Sequence, residues 1–162
     1  RIAHYKVWPS DVKEIYEGHE VAVHTLTHPN LTQLEDAEVI RQVEQDRLNL
    51  SELAGYEVIG MAYPGGGVNN DRRVANLIQT HTGVQYARTI NSNDSFTPQP
   101  HLMDLGRQFI EMDAETPQIF YIWGHSYEMD YCSDNWRRLE DFFELISGHD
   151  DIFYGTNAEV LL

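Results

Sequence analysis

The chain has one cysteine, Cys132, and that scarcity closes off two architectures at once. An internal disulfide needs a second thiol, and a cysteine metal knuckle needs several. Cys132 therefore reads as a plain free thiol. Basic residues are also scarce: 11 Lys and Arg stand against 26 Asp and Glu, a formal net charge of −15. Nucleic-acid affinity comes mainly from Lys and Arg neutralising phosphate, so no nucleic-acid partner is expected, whereas a neutral ligand is indifferent to the field. No apolar run approaches the roughly 20 residues that a membrane helix needs, so no membrane span is expected. The opening Arg1-Ile2-Ala3-His4-Tyr5-Lys6 has no apolar signal core and no initiator Met, which is expected of a processed or shortened chain and leaves the compartment open. Repeats and low-complexity tracts are absent too.

What remains is an ordinary globular composition, with 162 residues reading as one domain over 1–162. Short apolar runs alternate with stretches of helical period, the pattern of repeating β/α units. The spacing predicts a short helix over 10–18, with Asp11 as a plausible N-cap and Gly18 as its stop. A buried strand over 20–24 follows. A long helix over about 35–54 comes next, capped by Thr32, ended by Gly55, and apolar at Val39, Ile40, Val43, Leu50 and Leu53. A second unit is a strand over 58–63 broken by Pro64-Gly65-Gly66-Gly67, then a helix over about 71–81. Further strands are expected at 84–88, 118–123 and 152–154, further helices at 103–112 and 135–147, and an irregular loop at 91–101. Five strands fall short of a complete eight-fold barrel, which typically needs about 250 residues. The expected fold is α/β: a distorted, incomplete (β/α) barrel.

In such folds functional groups gather at the carboxyl ends of the strands, and three features stand there. His24-Thr25-Leu26-Thr27-His28-Pro29 places two imidazoles four residues apart, as on one turn of helix, a spacing that lets both reach one cation. Pro29 disfavours helix at His28, so the turn must end there. Ordinary loop histidines remain the alternative at this stage, and a metal site would need a third ligand. Tyr63-Pro64-Gly65-Gly66-Gly67 lets the backbone approach a ligand and offer amide donors to an oxyanion; the alternative is a plain strand-to-helix turn. Trp123-Gly124-His125-Ser126-Tyr127 ends the strongest predicted strand and positions His125 for acid–base work, with a structural histidine equally plausible. Tyr121 and Trp123 read first as core residues and second as sugar-stacking ones.

Together these pieces resemble the polysaccharide deacetylase family, in the right order and over nearly the whole chain. His24-Thr25-Leu26-Thr27-His28 matches the family's His-Ser/Thr-x-x-His motif, Tyr63-Pro64-Gly65 is similar to its third motif, and the run into His125 to its last. The resemblance implies a metal-dependent hydrolase that removes acetyl groups from N-acetylated, or O-acetylated, oligo- or polysaccharides. The implied cofactor is Zn2+, with Co2+ or Ni2+ as alternatives, held by His24 and His28 and activating water against the acyl carbonyl. It further implies the Gly65 backbone amide as the oxyanion donor, His125 as the acid that protonates the leaving amine, and Tyr63, Pro64 and Trp123 at the substrate. The family's Asp-Asp strand has no counterpart before His24; the simplest expectation is that it precedes Arg1 in a longer parent, leaving this chain alone inactive. Asp150-Asp151 reads as a solvated turn, and nothing specific points to Asp94 or Asp130 as its substitute. The arginine usual in the third motif is replaced by Ala62, and Arg88 on the next strand is the candidate to stand in. Two rival readings are a catalytically inactive carbohydrate-binding pseudoenzyme and an amidase on a non-sugar acyl amide. A sheet edge opened by a missing strand predicts pairing with a second copy or poor stability.

Overall fold

The computed structural model describes residues 7–89 and 119–162, which fall in two compact units: 1–91 with 154–162, and 92–153. The expected loop at 91–101 and helix at 103–112 lie outside the described residues.

The first unit opens with a 3-10 turn, Pro9–Asp11, leading into α1, Val12–Ile15. Asp11 occupies the N-cap position without a side-chain capping bond, and the chain reverses through Gly18 at φ 78°. Helix α2 runs Asp36–Ala54 and stops at Gly55, whose φ of 78° is the left-handed conformation that glycine adopts without steric cost. Thr32 does not cap it; Thr32 belongs to a separate 3-10 turn, Leu31–Gln33, whose N-cap is Asn30. Strand β1 is Gly60–Ala62, α3 is Arg72–His81, and β2 is Tyr86–Arg88. Asp71 caps α3 by accepting the Val74 N–H at 2.8 Å.

β1 and β2 pair in parallel with Ala62 opposite Arg88, and Val23 bridges Met61 in parallel on the other side of β1. Three consecutive chain segments thus lie side by side, with α2 and α3 as the crossovers that parallel pairing demands. That sequential order is the progression of a (β/α) barrel wall rather than of a sheet that reverses direction. No closed barrel exists among the described residues, and strand 20–24 is reduced to the bridge at Val23.

Burial explains the packing. Val39 and Val43 of α2, Val74 and Ile78 of α3, and Val23, Val58 and Met61 of the sheet form one core with Leu31, Ala54, Tyr63 and Val84. The i, i+4 spacing of each helical pair is what puts both residues on the sheet-facing side. Gly60 is required by closeness: a methyl group there would overlap the Tyr86 phenol oxygen and the Glu20 carboxylate. The segment 154–162 rejoins this unit through α5, Asn157–Leu161, where the Ala158 N–H donates to Glu20.

The second unit holds α4, Asn135–Ile146, preceded by a 3-10 turn, Ser126–Tyr131. Phe142 is fully buried and meets Phe120 at 6.1 Å between ring centroids. The strands expected at 118–123 and 152–154 are not formed at 119–123 or 152–154. Apolar, β-branched composition marks a segment that suits a sheet, but a strand exists only where a neighbour completes its ladder. Ile119, Tyr121, Ile122 and Trp123 are accordingly exposed.

Candidate functional site

The segment 24–28 brings its two histidines together by a route the spacing did not anticipate. It is not a helical turn. Thr25 and His28 both carry positive φ, 70° and 57°, a region that costs a non-glycine residue about 1–3 kcal/mol each. Pro29 contributes by barring the right-handed helical conformation from His28. Two left-handed residues fold the loop so that the His24 and His28 rings meet edge to face, 4.9 Å apart between centroids.

Something must hold that strained loop, and α2 does. The His24 N–H donates to Asp46 Oδ2 at 2.9 Å, the Leu26 N–H to the Gln42 carbonyl at 3.2 Å, and the Thr27 N–H to Gln42 Oε1 at 3.1 Å. Gln42 Nε2 returns a bond to Thr27 Oγ1 at 2.9 Å, and Gln42 itself is only 3% exposed. Neutral bonds of this kind contribute about 0.5–1.5 kcal/mol each and charged ones about 1.5–3, so the brace is of the same size as the strain. The Thr25 hydroxyl, buried beside His24 in sequence, has no hydrogen-bond partner among the described residues.

Hydrogen bonds define one nitrogen on each ring. His24 Nδ1 lies 2.8 Å from the Ala62 carbonyl, which can only accept, so Nδ1 donates and Nε2 is the nitrogen left for a ligand. His28 Nε2 accepts the Gly65 N–H at 3.3 Å, so its lone pair is engaged by that amide, which must swing away before this nitrogen can ligate. A hydrogen bond from the remote ring nitrogen to a carbonyl is the arrangement that orients metal-ligating histidines. Two imidazoles whose ring centroids lie 4.9 Å apart are, when neutral, a donor pair for a zinc-like cation. His24 and His28 therefore fit as two ligands; among the described residues no group of three His, Cys, Asp or Glu side chains converges.

The glycine loop faces the pair. Gly65 has φ 74° and is exposed, while Tyr63 and Pro64 are packed into the interior; burial, and then the charge of Asp71, raise the Tyr63 phenol above its usual range. Tyr63 and Pro64 thus shape the loop from beneath. Two further ties fix it: Asn30 Nδ2 donates to the Val68 carbonyl at 3.1 Å, and Asn69, 1% exposed, donates to the carbonyls of Pro64 and Gly65. Arg88 stands in register with Ala62, and Val23 with Met61, so His24, Ala62 and Arg88 follow one row at the carboxyl edge of the sheet. Residues in register share a face, which places the Arg88 side chain beside the short Ala62 one.

His125 belongs to the second unit. Its ring stacks on Tyr127 at 4.9 Å, meets Trp123 edge-on at 6.3 Å, and has Nδ1 3.5 Å from Glu128 Oε1. The Glu128 carboxylate also accepts the His125 N–H at 2.9 Å, which locks the entry to the 3-10 turn. Asp130 of the same turn instead accepts the Trp136 indole N–H, and Cys132 is exposed and free.

The family model for polysaccharide deacetylase matches residues 2–87, more than half of the chain. The chain belongs to the polysaccharide deacetylase family. That stretch contains the histidine pair, the glycine loop and Arg88's neighbours, so the match and the geometry fall on the same residues. No curated protein and no solved structure matches the chain. A family of this kind implies a deacetylase-type hydrolase with a carbohydrate substrate, on a (β/α) barrel scaffold. No helix among the described residues is long and apolar enough to cross a membrane.

Gln42, Asp46, Asn30 and Asn69 went unnoticed in the sequence. Gln42 gave one signal, an uncharged polar residue three positions after Val39 on the core-facing stripe of α2. Asn30, Asn69 and Asp46 carry no spacing or motif that would single them out.

Proposed function

We propose that this deacetylase removes acetyl groups from N-acetylated oligo- or polysaccharides with a divalent transition metal, Zn2+ by preference, bound through His24 and His28. The observation that carries the reading is the pair of imidazole rings 4.9 Å apart, one anchored through Nδ1 to the Ala62 carbonyl and the other against the Gly65 amide, held in a strained loop that α2 braces. When bound, such a cation supplies Lewis acidity toward the acyl carbonyl and an activated water. The chain's own residues do the rest. His24 and His28 hold their rings in fixed tautomers. The Gly65 N–H, now engaged by His28, is a hydrogen-bond donor for the negative oxygen that develops as the carbonyl becomes tetrahedral. Ala62 holds the place that the third motif usually gives to arginine, and Arg88, in register with it on the next strand, is assigned to stand in and steady a carboxylate base. His125 is assigned protonation of the departing amine on its family motif, and Trp123, exposed beside it, is assigned to sugar contact.

The test is acetate release from N-acetylglucosamine oligomers by the natural full-length protein with zinc or cobalt occupancy measured. No release from any amide or ester sugar at full occupancy rejects the reading. Binding of the oligomers without release selects the pseudoenzyme, and release from simple acyl amides but not sugars selects the amidase.

A further inference from the structure

We infer that Asn69 is a positioning residue that aims the Gly65 amide hydrogen into the site; the inference deepens the deacetylase reading above and takes from it the role of that amide. The Pro64–Gly65 peptide is trans, since the described chain has no cis bonds, and a planar trans peptide points its C=O and N–H in opposite directions. Whatever fixes the carbonyl therefore fixes the amide. Asn69 Nδ2 holds the Pro64 carbonyl at 2.7 Å, and the Gly65 N–H, on the far side of the plane, faces His28 Nε2 at 3.3 Å. The same Nδ2 also holds the Gly65 carbonyl at 3.0 Å, which pins the next peptide as well.

The sense of the carboxamide is not arbitrary. Both partners are carbonyls and can only accept, so the NH2 must face them; Oδ1 is left to accept from Asn70 Nδ2 at 2.8 Å. At 1% exposure no bulk water competes for these bonds. The surrounding loop needs such a brace, because Gly65 and Gly67 both take positive φ, 74° and 70°, and glycine itself resists few alternatives. Loss of an oxyanion donor costs roughly 10²–10³ in kcat, and a misplacement of about 1 Å near 10².

The experiment compares Asn69→Leu and Asn69→Asp with the parent in the full-length protein. Leu keeps the volume without a donor; Asp keeps the shape but sets a carboxylate against two carbonyls. Three quantities are read: kcat and KM for acetylglucosamine oligomers, zinc affinity by calorimetry, and the Gly65 amide signal in a glycine-labelled 1H–15N spectrum. The expected result is a kcat about 10- to 100-fold lower, KM within threefold, zinc affinity unchanged, and a displaced, faster-exchanging Gly65 signal. If either variant is poorly folded, Asn69→Ser, which keeps one hydroxyl donor, is expected to give an intermediate kcat and an intermediate Gly65 displacement. A folded variant with kcat within threefold of the parent and an unmoved Gly65 signal overturns the inference. Should the parent itself release no acetate, the deacetylase reading fails, while the Gly65 spectrum still decides whether Asn69 aims that amide.

Discussion

The loops at 24–28 and 63–69 and the stretch at 119–136 are built in opposite ways. In the first region nearly every polar atom near the histidines is tied to a helix or to the neighbouring loop, and the strain at Thr25 and His28 persists because Gln42 and Asp46 hold it. In the second, Trp123, Tyr127, Tyr131 and Trp136 stand exposed, and His125 is fixed mainly by residues three positions or fewer away. Strain held by long-range bonds is what a site for fixed coordination needs; a locally held imidazole suits a group that only has to hand over a proton.

Breaking the histidine pair proposed as ligands should separate the two regions most sharply. His24→Ala and His28→Ala are each expected to lower zinc affinity at least 100-fold and to abolish measurable acetate release. His125→Ala is expected to lower kcat about 10²- to 10⁴-fold while zinc affinity stays within twofold. Calorimetry and acetate release, run on the same preparations, check both; a His125 variant that loses zinc would erase the distinction.

The next contrast is in stability. Phe142→Ala empties the one fully buried aromatic position described in 119–153 and should cost about 3–5 kcal/mol in denaturant titration. Gln42→Leu keeps the volume but removes the bonds to the Thr27 N–H and Oγ1, for about 0.5–1.5 kcal/mol each, with zinc affinity weakened as the loop relaxes. A Gln42 variant with unchanged stability and zinc affinity would show that the loop carries its strain unaided.

Much of this was legible. Val39 and Val43 at helical spacing and Gly55 after Ala54 located α2, and the helix expected over about 71–81 matches α3, each within a residue or two, because stops and periodicity are local. His24, His28 and Gly65 were legible as a cluster because spacing and strand ends are sequence properties. Their geometry was not: four-residue spacing suggests a helical turn, and the left-handed conformations at Thr25 and His28 are imposed from α2, up to 22 positions away. Residues 119–123 mislead for the converse reason. Ile119 through Trp123 have the composition of a strand, but ladder pairing depends on a partner that composition does not name.

The smallest effect lies at the outer end of the brace, where Glu38 ties Gln42 to Arg41. Its carboxylate accepts from Arg41 Nε at 2.7 Å and from Gln42 Nε2 at 3.0 Å, and these bonds, Arg41's first, lower its pKa from 4.5 to about 2. A carboxylate with a depressed folded pKa stabilises the fold above its unfolded value and ceases to do so as pH falls through the folded one. The contribution of Glu38 is thus present above about pH 4.5 and is lost as pH falls from there through about 2. Because the pair is solvent-exposed, its effect should be slight and should shrink further in molar salt. Glu38→Gln is therefore expected to lower the urea midpoint a little at pH 6 and by still less near pH 2, with zinc affinity at pH 6 nearly unchanged. A variant that weakened zinc as strongly as Gln42→Leu would mean that the brace extends through Glu38 and Arg41 to the solvent face of α2, and the tightly held region would be larger by a full helical turn.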